Sequence, residues 1–316
     1  MNVIIPEKVH SFLIEKLKGC GLNVNYCPNA SYNDVLNEID KYEILVVRSK
    51  FKIDANFLNR ASKLKIIGRY GSGLEGIDIK ECEKKGIKVI NSPEGNRNAV
   101  GEHTLGLLLS LTNKICKSNV EIKNGKWDRD GNWGTELEGK TIGIIGFGNT
   151  GSYFAKKLMG FDVEVVAYDK FKSDFGNEFI KEVDLDYIYQ YADVVSLHIP
   201  LNDENYYWAD NKFFSSFSKP FIFINTSRGK LVDTLALVEN LKKGKIIAAG
   251  LDVLEYEKNN FESLIANGKN KVLSELIDME NVIITPHVAG WSYESFYKLA
   301  KFLAEKICHQ VSLNKL

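Results

Sequence analysis

The chain has 316 residues, 44% hydrophobic and 26% charged, ordinary for a globular protein and long enough for about two domains. Lysine plus arginine and aspartate plus glutamate balance at 41 each, so no global field favours nucleic acid or an anionic membrane, and the ligand should be small and held locally. The five cysteines are an odd set without C-x-x-C spacing, which argues against a disulfide framework or a zinc site and for a reducing, cytoplasmic compartment.

Met1–Pro6 is apolar but lacks the basic flank and length of a secretory leader, and it reads as a first strand, Asn2–Ile5. Further strands are expected at Ile44–Val47, Lys65–Ile67 and Lys88–Ile90. Between Glu102 and Cys116 the residues Leu105, Leu108, Leu109 and Ile115 recur at helical spacing, which predicts one buried amphipathic helix. The apolar stretch Leu105–Leu111 within it is too short to cross a bilayer. Arg129–Lys140, rich in Gly, Asn, Asp and Trp, reads as a loop. A second strand series follows at Thr141–Ile145, Val163–Tyr168, Asp193–Leu197, Phe221–Ile224, Ile246–Ala249 and Val282–Ile284, and a last helix runs from about Tyr293 to Cys308. Strands alternating with helical patterns predict an α/β protein with parallel sheets.

Two stretches satisfy G-x-G-x-x-G: Gly71-Ser72-Gly73-Leu74-Glu75-Gly76 and Gly146-Phe147-Gly148-Asn149-Thr150-Gly151. Both are expected to follow a strand and precede a helix, so the pattern alone does not choose between them. In a dinucleotide site the next strand ends in an acid that accepts from the ribose hydroxyls. After the first stretch that strand ends Val89-Ile90-Asn91, with no carboxylate; after the second it ends Ala167-Tyr168-Asp169. The second is therefore the cofactor turn. Gly146 permits the tight turn, Gly148 lets backbone approach a pyrophosphate, and Gly151 allows close helix–strand packing. Asp169 would repel a 2′-phosphate and so favours NAD over NADP, a preference that Lys170 beside it weakens.

Ligands of open α/β sheets sit outside the carboxyl ends of the strands. In the second half the polar oddities collect there: His198 and Pro200, Thr226-Ser227-Arg228-Gly229, Asp252 with Glu257, and His287. Oxidising a 2-hydroxy acid needs a base for the hydroxyl proton while hydride leaves for a nicotinamide, and histidine titrates near working pH. Of the five histidines, His10 and His309 lie in expected surface helices, His103 on the amphipathic helix, and His198 lines the cofactor; His287 alone stands at a strand end facing open space. Glu257 can hold its second ring nitrogen, and Arg228 can grip a carboxylate bidentately and polarise a carbonyl. Only six residues are arginine, so arginine is expected where a planar fork is needed.

The run Asn98–Leu109, Thr226-Ser227-Arg228-Gly229, Leu251-Asp252-Val253 with Glu257, and Thr285-Pro286-His287 resemble, in that order, signatures of the D-isomer-specific 2-hydroxyacid dehydrogenase family. The resemblance covers essentially the whole chain. It implies an NAD-dependent enzyme with Arg228, Glu257 and His287 catalytic, and Thr104, Thr226 and Asp252 added to the cofactor residues. It also implies that Gly71, Ser72 and Gly73 offer backbone N–H groups to substrate. Val47-Arg48-Ser49, Gly68-Arg69-Tyr70-Gly71 and Trp127-Asp128-Arg129 resemble the phosphoglycerate dehydrogenase branch. In that branch the matching arginines serve the substrate site, the third from the neighbouring subunit of a dimer. Glu257 lacks the proline that usually follows it, and 258–279 looks longer and more polar than the common form, so the choice of Glu257 over Glu255 rests on its spacing from Arg228. No regulatory domain is expected after Leu316, and serine-sensing feedback is therefore expected to be absent.

The expected fold is two Rossmann- or flavodoxin-like α/β domains with the cleft between them and hinge closure over substrate. A substrate domain would use 1–98 and 290–316, and an NAD-binding domain 99–289. No metal is expected. Other acids (glyoxylate, hydroxypyruvate, D-lactate) would use the same chemistry, and a redox-sensing NAD-binding corepressor would keep similar residues without turnover. The formate dehydrogenase branch is disfavoured because it pairs its histidine with glutamine.

Overall fold

A computed structural model describes residues 1–257 and 270–313. It divides into two compact units, Met1–Arg97 with Trp291–Leu316, and Asn98–Gly290. Each is built on one sheet, and every strand pair in both sheets is parallel.

The first unit carries five strands in the order β2-β1-β3-β4-β5: β1 Asn2–Ile5, β2 Asn23–Tyr26, β3 Ile44–Val47, β4 Ile66–Arg69 and β5 Lys88–Asn91. All four residues of the central β3 are buried, as a strand covered on both faces requires. One face packs under the closing helix α12 (Tyr293–Leu313), through Leu299, Leu303, Ile307 and Val311 against Ile5, Ile44 and Val46. The other packs Leu45, Phe57 and Ile67 together. Cys20, which caps helix α1 (Ser11–Gly19), is joined by a disulfide to Cys308 on α12. The cysteine spacing, read as arguing against a disulfide framework, did not show this pair: partners 288 residues apart leave no spacing signature.

The second unit carries seven strands in the order β12-β11-β10-β9-β6-β7-β8: β6 Thr141–Ile145, β7 Glu164–Tyr168, β8 Ile180–Glu182, β9 Val194–Leu197, β10 Phe221–Asn225, β11 Ile246–Leu251 and β12 Val282–Ile284. After β6 the chain runs outward through β7 and β8, then returns to the other side of β6 with β9. That reversal opens a crevice beyond the carboxyl ends of β6 and β9, where ligands of such sheets bind.

The single helix expected over Glu102–Cys116 is two. Helix α5 (Arg97–Thr112) ends before Lys114, whose φ of +51° breaks the spiral, and α6 (Ile115–Lys123) starts afresh. Leu108 is buried, whereas Ile115, assigned to the same face, is 52% exposed. The loop Arg129–Lys140 holds one 3₁₀ turn, Asp130–Asn132. No helix of the described residues is long and apolar enough to cross a membrane, and none of their His, Cys, Asp and Glu side chains group as a metal site.

Candidate active site

The turn leaving β6 is shaped by what its glycines touch. Gly146 has φ +95°, and a Cβ there would lie 2.6 Å from the His198 carbonyl oxygen at the end of β9. A Cβ at Gly151 would meet the Gly146 carbonyl oxygen at 2.0 Å, so the first turn of helix α7 (Asn149–Leu158) is seated directly on the turn. Gly148, the N-cap of α7, faces open space. Bare backbone at a helix N-terminus, open at the one glycine meant for close approach, fits a pyrophosphate.

Asp169, just past β7, accepts from Phe147 N–H in that turn at 2.7 Å and from Phe171 and Lys172 N–H at 2.9 and 3.1 Å. Lys170 is held by Glu204 at 2.8 Å. His198 is buried between Ser196 Oγ at 2.9 Å and Thr150 Oγ1 at 3.2 Å, and burial pushes its pKa down to about 3, so it is a neutral structural ring. Thr104 is fully buried and bonds Thr226 at 3.0 Å, which makes it a support behind Thr226 with no surface for a cofactor. Pro200 lies exposed beyond β9.

Three further strand ends bring the chemistry together. His287 follows β12 with φ +54°, a left-handed conformation that costs a non-glycine residue ~1–3 kcal/mol. Asp252 holds it there. The His287 N–H donates to the Asp252 carbonyl at 2.8 Å. The Asp252 carboxylate, 1% exposed, accepts from Thr285 Oγ1 at 2.6 Å and from the N–H groups of Val288 and Ala289 at 2.9 and 2.8 Å. Both of its oxygens are thus engaged in anchoring the turn. His103 on α5 reaches Thr285 Oγ1 at 2.9 Å and lies 3.6 Å from Asp252, an arrangement that a position on an amphipathic helix did not reveal.

His287 Nδ1 meets Glu257 Oε2 at 2.7 Å, and Glu257 Oε1 accepts from Leu254 N–H at 2.6 Å. The Glu257 hydrogen bond raises the His287 pKa above the ordinary imidazole value, with burial and the Arg228 charge pulling the other way. Arg228 follows β10. Asn225 braces its loop, donating to the Arg228 carbonyl at 3.0 Å and accepting from Ser227 N–H at 3.0 Å, while Ser227 Oγ donates to Leu197 O at 2.7 Å. Arg228 Nη1 donates to the Ser227 carbonyl at 2.6 Å. A base with a raised pKa, its carboxylate and a guanidinium therefore share one sheet edge with the glycine turn.

The remaining predicted residues belong to the first unit and to the loop after α6. In the first unit the buried Glu7 carboxylate accepts from the N–H groups of Arg48, Ser49 and Lys50 at 2.6, 3.1 and 3.0 Å. The Arg48 guanidinium sits over the rings of Tyr70, Trp291 and Phe296 at 5.8, 5.4 and 5.7 Å. Arg69 folds back over Gly71, where a Cβ would fall 2.1 Å from Nη1. Ser72 bonds Asn96 at 2.7 Å and accepts from Asn91 at its carbonyl, also at 2.7 Å. In the second unit Arg129 lines a pocket of about 390 Å³ with Lys126, Trp127, Asn132 and Trp133, none of them in the catalytic set. The segment 258–269, part of the unusual stretch 258–279, lies outside the described residues; α11 (Lys271–Asp278) follows it.

The family model for the NAD binding domain of the D-isomer specific 2-hydroxyacid dehydrogenases matches residues 105–289. The chain is 36% identical over 309 residues to a D-3-phosphoglycerate dehydrogenase from Archaeoglobus fulgidus, covering 97% of this chain and 56% of that protein. It is 34% identical over 281 residues to a hydroxypyruvate reductase from Thermotoga maritima, covering 89% of each. The chain thus spans little more than half the length of the first of these and most of the second. Among solved structures, the D-lactate dehydrogenase from Aquifex aeolicus, complexed with NAD and lactic acid, aligns with a TM-score of 0.83 at 30% identity, covering 99% of this chain and 96% of that one.

Proposed function

The chain belongs to the D-isomer specific 2-hydroxyacid dehydrogenase family, and we propose from that membership and from its site that it interconverts a D-2-hydroxy acid and the 2-keto acid with NAD, through His287 as acid–base. The observation that carries this reading is the 2.7 Å contact between His287 Nδ1 and Glu257 on the sheet edge that also holds Arg228. NAD supplies the hydride acceptor when bound. Gly146, Gly148, Asn149, Thr150 and Gly151 would hold its pyrophosphate, and Asp169 its ribose. His287 takes the substrate hydroxyl proton in oxidation and returns it to the carbonyl oxygen in reduction. Glu257 stabilises the imidazolium, and Arg228 binds the substrate carboxylate and polarises the carbonyl. Residues 99–289 form the cofactor domain in this reading, and 1–98 with 290–316 the substrate domain.

The substrate we propose is the D-3-phosphoglycerate and 3-phosphohydroxypyruvate pair of cytoplasmic serine biosynthesis. The Arg48, Arg69 and Arg129 segments support it, as does the likeness to a phosphoglycerate dehydrogenase. The likeness to a hydroxypyruvate reductase of matching length favours the unphosphorylated acid as the second reading. We also propose a homodimer in which Arg129 serves the neighbouring site. The exposed apolar side chains Ile122, Trp127 and Trp133, which line one pocket with Arg129, are suited to self-association.

A spectrophotometric screen of NADH oxidation across 2-keto acids tests the reading, with 3-phosphohydroxypyruvate expected to give the highest kcat/KM. Arg48→Ala should raise KM for that substrate by roughly tenfold, as losing a charge-assisted bond to phosphate predicts, and leave an unphosphorylated acid nearly untouched. Mixing Arg129→Ala with His287→Ala subunits should restore activity if Arg129 acts in trans. Absence of turnover with every acid would leave a redox-sensing, corepressor-like binder of NAD.

A further inference from the structure

Two glutamates flank Tyr256 in the turn after β11, and they point opposite ways. Glu257 turns to His287. Glu255 turns the other way, where one carboxylate oxygen accepts from the Tyr207 hydroxyl and the other from Thr234 Oγ1 at 2.7 Å, with Thr234 N–H at 3.4 Å. Thr234 opens helix α10 (Thr234–Lys242), an end where negative charge is favoured.

The peptide joining Leu254 to Glu255 is a junction. On one side the Leu254 N–H donates to Glu257 at 2.6 Å. On the other lies Gly229, next to Arg228, so close that a Cβ would fall 1.9 Å from the Leu254 carbonyl carbon and 2.5 Å from Glu255 N. Tyr207 is tied to the same loop, its N–H donating to the Lys230 carbonyl at 2.9 Å. It does so at φ +52°, a conformation rare for a bulky aromatic residue and kept only where surroundings over-determine it. The Tyr207 loop, the Arg228 loop and the 252–257 turn are thus laced together, and the reaction uses only Arg228 and Glu257 among them.

We propose that Glu255, clamped by Tyr207 and Thr234, is a positioning residue that fixes the turn from Asp252 to Glu257 and so keeps the Glu257 carboxylate on His287. The inference rests on the reading of His287 and Glu257 as the acid–base pair. Glu257 is partly exposed, and its hold on the imidazole depends on where its backbone is anchored. Anchoring at Asp252 governs the start of the turn; Glu255 governs its far half. The charged groups that act on His287 are Glu257, Arg228 and Asp252, with His103 reaching it through Thr285.

Tyr207→Phe is the sharpest probe, because it removes one donor and no charge. An NMR titration of the His287 ring, assigned against His287→Gln, reads the pair without any substrate. Tyr207→Phe and Glu255→Gln should each lower the His287 midpoint, in the direction of Glu257→Gln, and Tyr207→Phe should add nothing in a Glu257→Gln background. Thr234→Val should lower it and Thr234→Ser restore it. With the best keto acid, kcat should fall roughly tenfold in Tyr207→Phe, a fraction of what an acid–base group is worth, while KM for NADH stays unchanged. If Glu257→Gln lowers the midpoint and Tyr207→Phe and Glu255→Gln do not, the brace is wrong and the pair stands, even where melting temperature drops. If Glu257→Gln leaves the midpoint in place as well, brace and pair both fall.

Discussion

At Gly146–Gly151 the chain leaves β6 and is helical by Asn149, whereas at Gly71–Gly76 it leaves β4 and turns helical only at Ile79, in α4 (Ile79–Lys84). The two stretches obey one sequence pattern, so what separates them is what the backbone meets. In the later turn a side chain at Gly146 or Gly151 would strike backbone carbonyls, and Asp169 closes the turn from the neighbouring strand. In the earlier turn a Cβ at Gly71 meets only the end of the Arg69 side chain, one at Gly76 has nothing nearer than 3.7 Å, and the neighbouring strand offers Asn91 to the Ser72 carbonyl. A glycine demanded by backbone contact marks a helix seated on a strand end, the geometry an anionic ligand needs. A glycine demanded by φ alone marks a turn.

The proposed chemistry lies at the edge of the second sheet, and the largest effects should appear there. His287→Ala and Arg228→Ala are each expected to lower kcat by about two to four orders of magnitude, with NADH affinity little changed in a fluorescence titration. A kcat within tenfold of the parent would move the chemistry elsewhere. Next in size, Gly151→Ala forces a methyl group onto the Gly146 carbonyl. Overpacking of ~1–3 kcal/mol should raise the NADH Kd roughly tenfold or more, while Gly76→Ala leaves it unchanged. Equal responses would mean that the two turns are not as different as they look.

Smaller effects test the acid beside each turn. Asp169→Ala should narrow the preference for NADH over NADPH by relieving repulsion of the 2′-phosphate, and Asn91→Ala should leave that ratio alone. Lys170, engaged by Glu204, would assist NADPH less than a free lysine. A parent enzyme that used both cofactors equally would defeat the assignment. Finer still is the pH profile. On the proposed mechanism His287 must be protonated to reduce a keto acid, and Glu257 raises its pKa, so kcat/KM for reduction should hold through the ordinary imidazole range and fall as pH rises through the raised value. In Glu257→Gln that fall should come at lower pH. The same movement in Glu255→Gln alone, with Glu257→Gln unmoved, would exchange the roles of the two glutamates.

Much of this was legible because parallel sheets enforce it. Strands buried on both faces read as apolar runs, and Asn2–Ile5, Ile44–Val47, Thr141–Ile145 and Val282–Ile284 have the bounds their composition suggests. The strands Asn23–Tyr26 and Ile180–Glu182 were not legible: each is a short, mostly polar edge strand with no such run. The break at Lys114 escaped for a related reason, since Ile115 continues the apolar spacing of α5 although it faces solvent. At the candidate site, Arg228, Glu257 and His287 were expected on one edge because each ends or follows a strand, and parallel strands deliver their ends there.

The sequence by itself determined the class of fold, the choice between two glycine-rich turns, and the residue types set along one sheet edge, because hydrophobic period and strand polarity are local properties of the chain. Only the tertiary structure decided that Glu255 turns away to Tyr207 and Thr234, that Asp252 spends both oxygens anchoring the His287 turn, that His103 backs Thr285, and that Cys20 pairs with Cys308. Each of these joins residues from separate elements across the fold or selects between neighbours in one turn, and directional bonds of that kind depend on backbone positions that no local pattern encodes.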